Sequence, residues 1–209
     1  MTIMRYSPNE LLAKYQEIRD SCTTESFMRS PLHQKTQEMW CAGHFSRAYQ
    51  TAVGECWVHI SEKDEQTPED FWLEFEDALH PFQIAMVVDP VRRMGDEYKG
   101  VIDDKNVSVL EDWTAGTENG PSWVAERIAA KAKKYGENSA RINLLLYLNF
   151  TAYEQNYCRL RNEANAHSAK FRSVWLLNGN AFCCIKEHVS LPGFHLWQEA
   201  AESLRAKKI

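Results

Sequence analysis

Gln83 stands inside an almost wholly apolar run, residues 80–88 ("HPFQIAMVV"), where an amide must find hydrogen-bond partners or cost free energy. Thirteen residues earlier, Asp70 follows Pro68 and Glu69, a context that suits a turn or cap as well as an oxygen ligand. Between them, "FWLEFED" sets Glu74 and Glu76 on the face opposite Phe71, Leu73 and Phe75, so this strand has one wet or functional side. After the apolar run come Arg92 and Arg93, then Asp96 and Glu97. Guanidinium groups can clamp phosphate or pair with carboxylates, but cannot take a proton from water at ordinary pH. Other chemistries lack their residues: there is no H-x-x-x-H, no G-x-S-x-G, and no glycine-rich phosphate loop between a strand and a helix.

The elements that must position these groups follow from apolar spacing. "SPNELLAKYQEIRD" is a helix with Ser7 as N-cap, Pro8 in its first turn and Glu10 completing a capping box. "SPLHQKTQEMWCAGHFSRAYQTAVG" is a second helix, carrying Glu38 and stopping at Gly54. "FWLEF" and "FQIAMVV" are strands joined by so short a link that they must pair antiparallel, the second buried on both faces. Residues 95–120 read as a polar surface excursion. "PSWVAERIAAKAKKYG" is a helix ending in lysines and Gly136, and "RINLLLYLNF" is the best central strand. A helix from about Thr151, a strand "SVWLLNGNAFCCI" turning at Asn178-Gly179 into further strand, and a last helix "FHLWQEAAESLRAKKI" complete the chain. Interleaving of this kind predicts one α/β domain over 1–209, a mixed β-sheet flanked by helices. Within it, 1–34 forms an N-terminal helical extension, 35–185 the core and 186–209 the C-terminal helix.

The totals narrow the functional classes. A chain of 209 residues suits one domain with a real core. Its formal charge of -5 is opposite to that of proteins that grip long stretches of nucleic acid, so any such contact must be local. No apolar run approaches the roughly eighteen residues of a membrane span, and the N-terminus lacks a secretory pattern, which places the protein in the cytoplasm without membrane partners. The six cysteines have no C-x-x-C pairing and read as reduced, buried thiols. Among Trp72, Trp113, Trp123, Trp175 and Trp197, core packing suits most, with stacking or partner contact open to the exposed ones.

A helix bearing Glu38, then "EDFWLEFED", "FQIAMVV", a helix and "INLLLYLNF" resembles the helix-strand-strand-strand-helix-strand core of the PD-(D/E)XK, or restriction-endonuclease-like, superfamily. The likeness extends to a divergent bacterial branch in which a Q-I-x-x-V strand runs into Pro-x-Arg-Arg-x-Gly-Asp-Glu-Tyr. The resemblance implies a restriction-endonuclease-like core and a Mg²⁺-dependent endonuclease, with Asp70 and Gln83 as metal ligands and Glu38 as a supporting carboxylate. Magnesium favours such hard oxygen donors. The resemblance also implies a lysine two residues beyond the second ligand, and that position is Ala85. A lysine migrated to the following helix, Lys131 or Lys134, could take its place, with Arg92 and Arg93 holding phosphate. Two readings stand: an endonuclease acting on DNA or RNA, or a catalytically degenerate descendant used for protein or nucleic-acid contact. Oligomeric state is not legible.

Overall fold

The computed structural model describes residues 3–23, 26–27, 33–61, 69–91, 113–150, 152, 156–179, 181–193 and 198–199. Eight strands form one sheet in chain order: β1 (Ile3–Tyr6), β2 (Trp57–Ser61), β3 (Phe71–Phe75), β4 (Ala78–Val87), β5 (Asn143–Leu148), β6 (Ser173–Asn178), β7 (Ala181–Lys186) and the two-residue β8 (Gln198–Glu199). Strands β1 to β4 pair antiparallel, β4-β5-β6 parallel, and β6-β7-β8 antiparallel again. The parallel section needs crossovers, and these are the helices α3 (Trp113–Tyr135) and α4 (Tyr157–Ser168). Two earlier helices, α1 (Pro8–Asp20) and α2 (Gln34–Ala52), complete the α/β domain.

Strand alternation divides the core in two. Phe82, Leu145, Trp175, Leu177 and Phe182 point to one face, under α1 and α2, where Phe45 and Tyr49 are fully buried among them. Ala85, Leu144, Leu146, Val174 and Cys183 point to the other, under Val124 and Ile128 of α3 and Leu160 of α4. This double coverage is why β4, β5 and β6 read as continuous apolar runs rather than as alternating ones. The result is three layers, helices on both sides of a mixed sheet.

Local signals explain most boundaries. Ser7 and Glu10 form the reciprocal capping box at the start of α1, and Pro8 follows the cap. The β3–β4 hairpin closes on Glu76 and Asp77, both with positive φ, in the manner of a two-residue turn whose twist matches its strands. Glu76 is therefore in the turn and does not share a strand face with Glu74, as its spacing suggests. Glu74 instead accepts from Arg5 at 2.8 Å and meets His59 Nε2 at 2.5 Å.

Three segments differ from the sequence reading. Neither β1 nor β2 is signalled by its residues, yet Ile3–Tyr6 pair with Ser61–Val58, so the N-terminal segment adds a strand to the sheet as well as a helix. Helix α3 begins at Trp113, well inside the stretch expected as a loop, with Pro121 in its interior. A Cβ at Gly120 would lie 2.6 Å from the Phe150 ring, so close helix-to-loop packing requires the glycine that makes the stretch look irregular. Gln198–Glu199 pair as strand with β7 where a last helix is expected, and the rest of that segment lies outside the described residues. All six cysteines are free thiols, but Cys158 is exposed and Cys22 half-buried, against the expectation of general burial. No described helix is long and apolar enough to cross a membrane.

Candidate active site

Strand β3 is shorter than β4, and that difference creates the site. Their ladder ends at Phe71 opposite Phe82, so β4 continues beyond it with β5 on one side and, among the described residues, no strand on the other. Asp70 fills the first vacant rung. Its backbone N–H donates to the Phe82 carbonyl at 2.9 Å, and its carboxylate accepts from the Ile84 backbone N–H at 2.6 Å. The carboxylate is thus held at a notch in the sheet, reachable from both helix layers.

From the α2 side comes Glu38. Lys35, one turn earlier, pairs with Glu38 at 2.7 Å and donates to the Asp70 carbonyl at 2.9 Å, tying α2 to the start of β3. Both side chains are largely withdrawn from solvent, at 10% exposure for Lys35 and 15% for Glu38. From the α3 side come Lys131 and Tyr135, neighbours one turn apart. The Lys131 ammonium donates to the Tyr135 hydroxyl at 3.3 Å, and that hydroxyl donates to Gln83 Oε1 at 2.6 Å. Gln83 lies near enough to the Asp70 carboxylate to help hold it ionised. A directed chain, lysine to phenol to amide, therefore ends beside the Asp70 carboxylate, each member polarising the next.

Asp70, Glu38 and Lys131 all shift toward neutrality. Burial pushes the Asp70 carboxyl up, opposed by the Ile84 N–H, by the charges of Lys35 and Lys131 and by Gln83. Burial also raises Glu38, with the Asp70 charge adding to it and Lys35 and Gln34 opposing. Lys131 is lowered, first by burial and then by repulsion from Arg127 and Lys134, while Asp70 acts in the other direction. Two carboxylates and a partly desolvated lysine in one notch are the arrangement in which perturbed acids and bases mark functional sites.

Of the residues singled out by sequence, Asp70, Gln83, Glu38 and Lys131 come together here. Ala85 is 3% exposed and packed in the α3/α4 core, so it contributes apolar surface alone. Lys134 is exposed on α3, 5.6 Å from the Tyr135 ring centroid. Arg92 and Arg93 lie outside the described residues. Lys35 and Tyr135 were not anticipated. Lys35 had a signal, its i,i+3 spacing from Glu38 on a predicted helix; Tyr135 had none beyond its helix-terminal position.

The donor set consists of oxygen atoms: two carboxylates and the Gln83 carbonyl, whose second lone pair remains when Tyr135 occupies the first. Such a set fits a hard cation that retains water ligands. It is sparse, since among the described residues no group of three or more His, Cys, Asp or Glu side chains could hold a metal ion.

Comparison with known proteins adds a family and a fold. No curated protein matches the chain. Among solved structures, a Pseudomonas aeruginosa protein of unknown function, described as of the monooxygenase superfamily, superposes with a TM-score of 0.50 at 15% identity, covering 92% of this chain and 93% of its own. At that identity the likeness concerns the fold, and no oxygen chemistry carries across. A family model matches residues 9–204, nearly the whole of this chain, and the chain belongs to the family described as "Putative endonuclease, protein of unknown function (DUF1780)".

Proposed function

We propose that this protein is a metal-dependent endonuclease of the PD-(D/E)XK type, acting on DNA or RNA, with Asp70 and Gln83 as ligands for Mg²⁺ and Glu38 as the supporting carboxylate. The observation that carries the reading is the hydrogen-bonded chain Lys131–Tyr135–Gln83, which ends beside Asp70 where β3 stops. When bound, the metal would supply Lewis-acid polarisation of the phosphodiester and a more acidic water.

The protein's own groups have separable tasks. Asp70 and Glu38 supply negative charge in a semi-dry space, and the Ile84 N–H fixes the direction of the first. Lys131 takes over the role that the strand position Ala85 cannot perform. Its lowered pKa makes it a better proton acceptor than an ordinary lysine, and its protonated form can stabilise charge growing on the phosphorus centre. Tyr135 holds that ammonium in place from one turn away. Lys35 neutralises Glu38 when no other cation is present.

A second reading, a degenerate member that holds a nucleic acid or protein without cleaving it, draws on Ala85 and on the sparse ligand set. A cleavage assay with Mg²⁺ or Mn²⁺ on single- and double-stranded DNA and RNA separates the two. The endonuclease reading expects activity lost in EDTA and in Asp70→Asn, and reduced at least about 100-fold in Lys131→Met. Activity that survives both substitutions sinks it, and metal-independent binding without cleavage establishes the second reading.

A further inference from the structure

One turn before Lys131, α3 carries the exposed Arg127 and, a turn earlier again, the half-buried Trp123, a lysine, arginine and tryptophan at spacings of four that share one side of the helix. Opposite them, the end of β4 runs out as Met86, Val88 and Pro90. The two elements enclose an open groove of about 460 Å³ whose floor is mostly apolar and whose rim carries Glu126 and Arg127. On α3 the groove's wall runs from Trp123 to Ala130, and Lys131 of the candidate site follows directly, about 12 Å along the helix from Trp123.

We propose that this groove receives an unstacked nucleobase of a single-stranded nucleic acid, with Trp123 as the stacking platform and Arg127 as the phosphate clamp. The proposal rests on the endonuclease reading, which makes the notch the place of chemistry, and it names how the strand beside the scissile bond is held. Trp123 meets the Phe150 ring edge-on, at 5.2 Å between centroids and 89° between planes, which fixes its plane while part of the indole remains exposed along the groove. Arg127 makes no hydrogen bond or ion pair among the described residues, and it lies close enough to Lys131 to repel its charge. Arg127 and Lys131, one turn apart on α3, offer two cations that a phosphodiester can bridge.

The same features select a single strand. A tryptophan in a groove can reach the face of a base only where that base has left its stack, and a net charge of -5 disfavours the broad electrostatic grip that a duplex rewards. Glu126, on the same rim, can accept from a base amino group, while Arg127 and Lys131 favour the phosphate.

The test is fluorescence anisotropy with short labelled single-stranded DNA and RNA, the matching duplexes and an abasic single strand, all in EDTA so that no metal-dependent cleavage intervenes. Expected results are tighter binding of single strands than of duplexes, and weaker binding of the abasic strand. Trp123→Ala should weaken single-strand binding at least about fivefold, while Trp123→Phe retains most of it. Arg127→Gln should weaken it without changing the melting temperature and lower the salt slope by about one. Equal binding of duplex and single strand, or wild-type binding by both Trp123→Ala and Arg127→Gln, overturns the groove assignment. Because binding is read without metal, loss of the groove with intact Asp70-dependent cleavage leaves the endonuclease reading standing. Base-dependent binding without any cleavage does the reverse.

Discussion

Asp70→Asn should make the metal-free protein more stable at neutral and alkaline pH. The Asp70 carboxylate is disfavoured where it sits: burial raises its pKa, and Glu38 faces it with a second negative charge that is itself raised by the Asp70 charge. A carboxyl whose folded pKa lies above its unfolded value contributes stability that is fully present below the unfolded value, about 3.9, and is lost as pH rises through the folded one. At pH near 8 the whole penalty stands, and an asparagine does not incur it. The amide oxygen can still accept from the Ile84 N–H, giving up the charge-assisted part of that bond, worth about 1 kcal/mol. Against this, removal of a buried charge and of its repulsion with Glu38 leaves a net gain of about 1 kcal/mol, within the range typical when a functional group is made inert. For a chain of 209 residues that is about 2–4 °C in Tm.

The assay is a thermal melt in EDTA at pH near 8 and again near 4, followed by a Mg²⁺ or Mn²⁺ titration. Asp70→Asn should melt higher than wild type at the alkaline pH, with the advantage gone at the acid one. Added metal should raise the wild type, by about 2.7 kcal/mol at a hundredfold excess over Kd, and leave the variant unmoved, so that their order reverses. A variant that melts several degrees below wild type by the same margin at both pH values would refute the reasoning. It would show Asp70 to be an ordinary structural anchor for the β3–β4 ladder.

Other substitutions probe the surroundings of the notch. Tyr135→Phe removes the donor to Gln83 Oε1 and the acceptor for Lys131, and should cost about 1–3 kcal/mol by denaturant titration while lowering cleavage, with the metal-induced Tm rise largely kept. In the sheet, Ser173 donates to Asn143 Oδ1 at 2.6 Å and accepts from Trp175 Nε1 at 2.8 Å, all three residues being fully buried. Ser173→Ala strands both partners and should cost roughly 2–6 kcal/mol, read as a lower denaturation midpoint with an unchanged m-value. Arg5 and His59 hold the Glu74 carboxyl down to about 2, so its contribution is present above the ordinary carboxylate range and fades as pH falls. The Tm gap between wild type and Glu74→Gln should therefore close between about pH 5 and pH 2, and a gap constant across that window would contradict the assigned ion pair.

What could be read from sequence divides along physical lines. Strands β4, β5 and β6 were legible because two-sided burial leaves a run of apolar residues that nothing else explains. Strand β1 left no such trace: its exposure pattern is three exposed residues and one intermediate, and Arg5 lies over the Trp57 ring at 3.9 Å, so a polar edge strand is held by its neighbour rather than by a core face. The first two turns of α3 were hidden by Gly116, Gly120 and Pro121, all three buried, where packing overrides helix propensity. In the site, Asp70 and Gln83 were legible as a strand-entry acid and an amide that needed a partner. The partner itself, Tyr135, is 52 residues away, and no local pattern connects the two.

The position of the lysine follows from the same packing. Residue 85 shares a strand face with Gln83 and points into the cluster built by Val124, Ile128 and Leu146. A lysine there would place its ammonium in a dry environment at a cost of several kcal/mol unless paired, and α3 leaves it no exit to solvent. Lys131 reaches Gln83 from outside the sheet, its ammonium on the Tyr135 hydroxyl and its burial only partial. On the proposed reading, closing the α3/α4 core over β4 and moving the cation to α3 are one change: alanine at 85 lets the helix pack, and the helix that packs there brings the lysine. A family member with lysine at the strand position should then carry a neutral residue at the place of Lys131 and a smaller or more polar side chain at the place of Ile128.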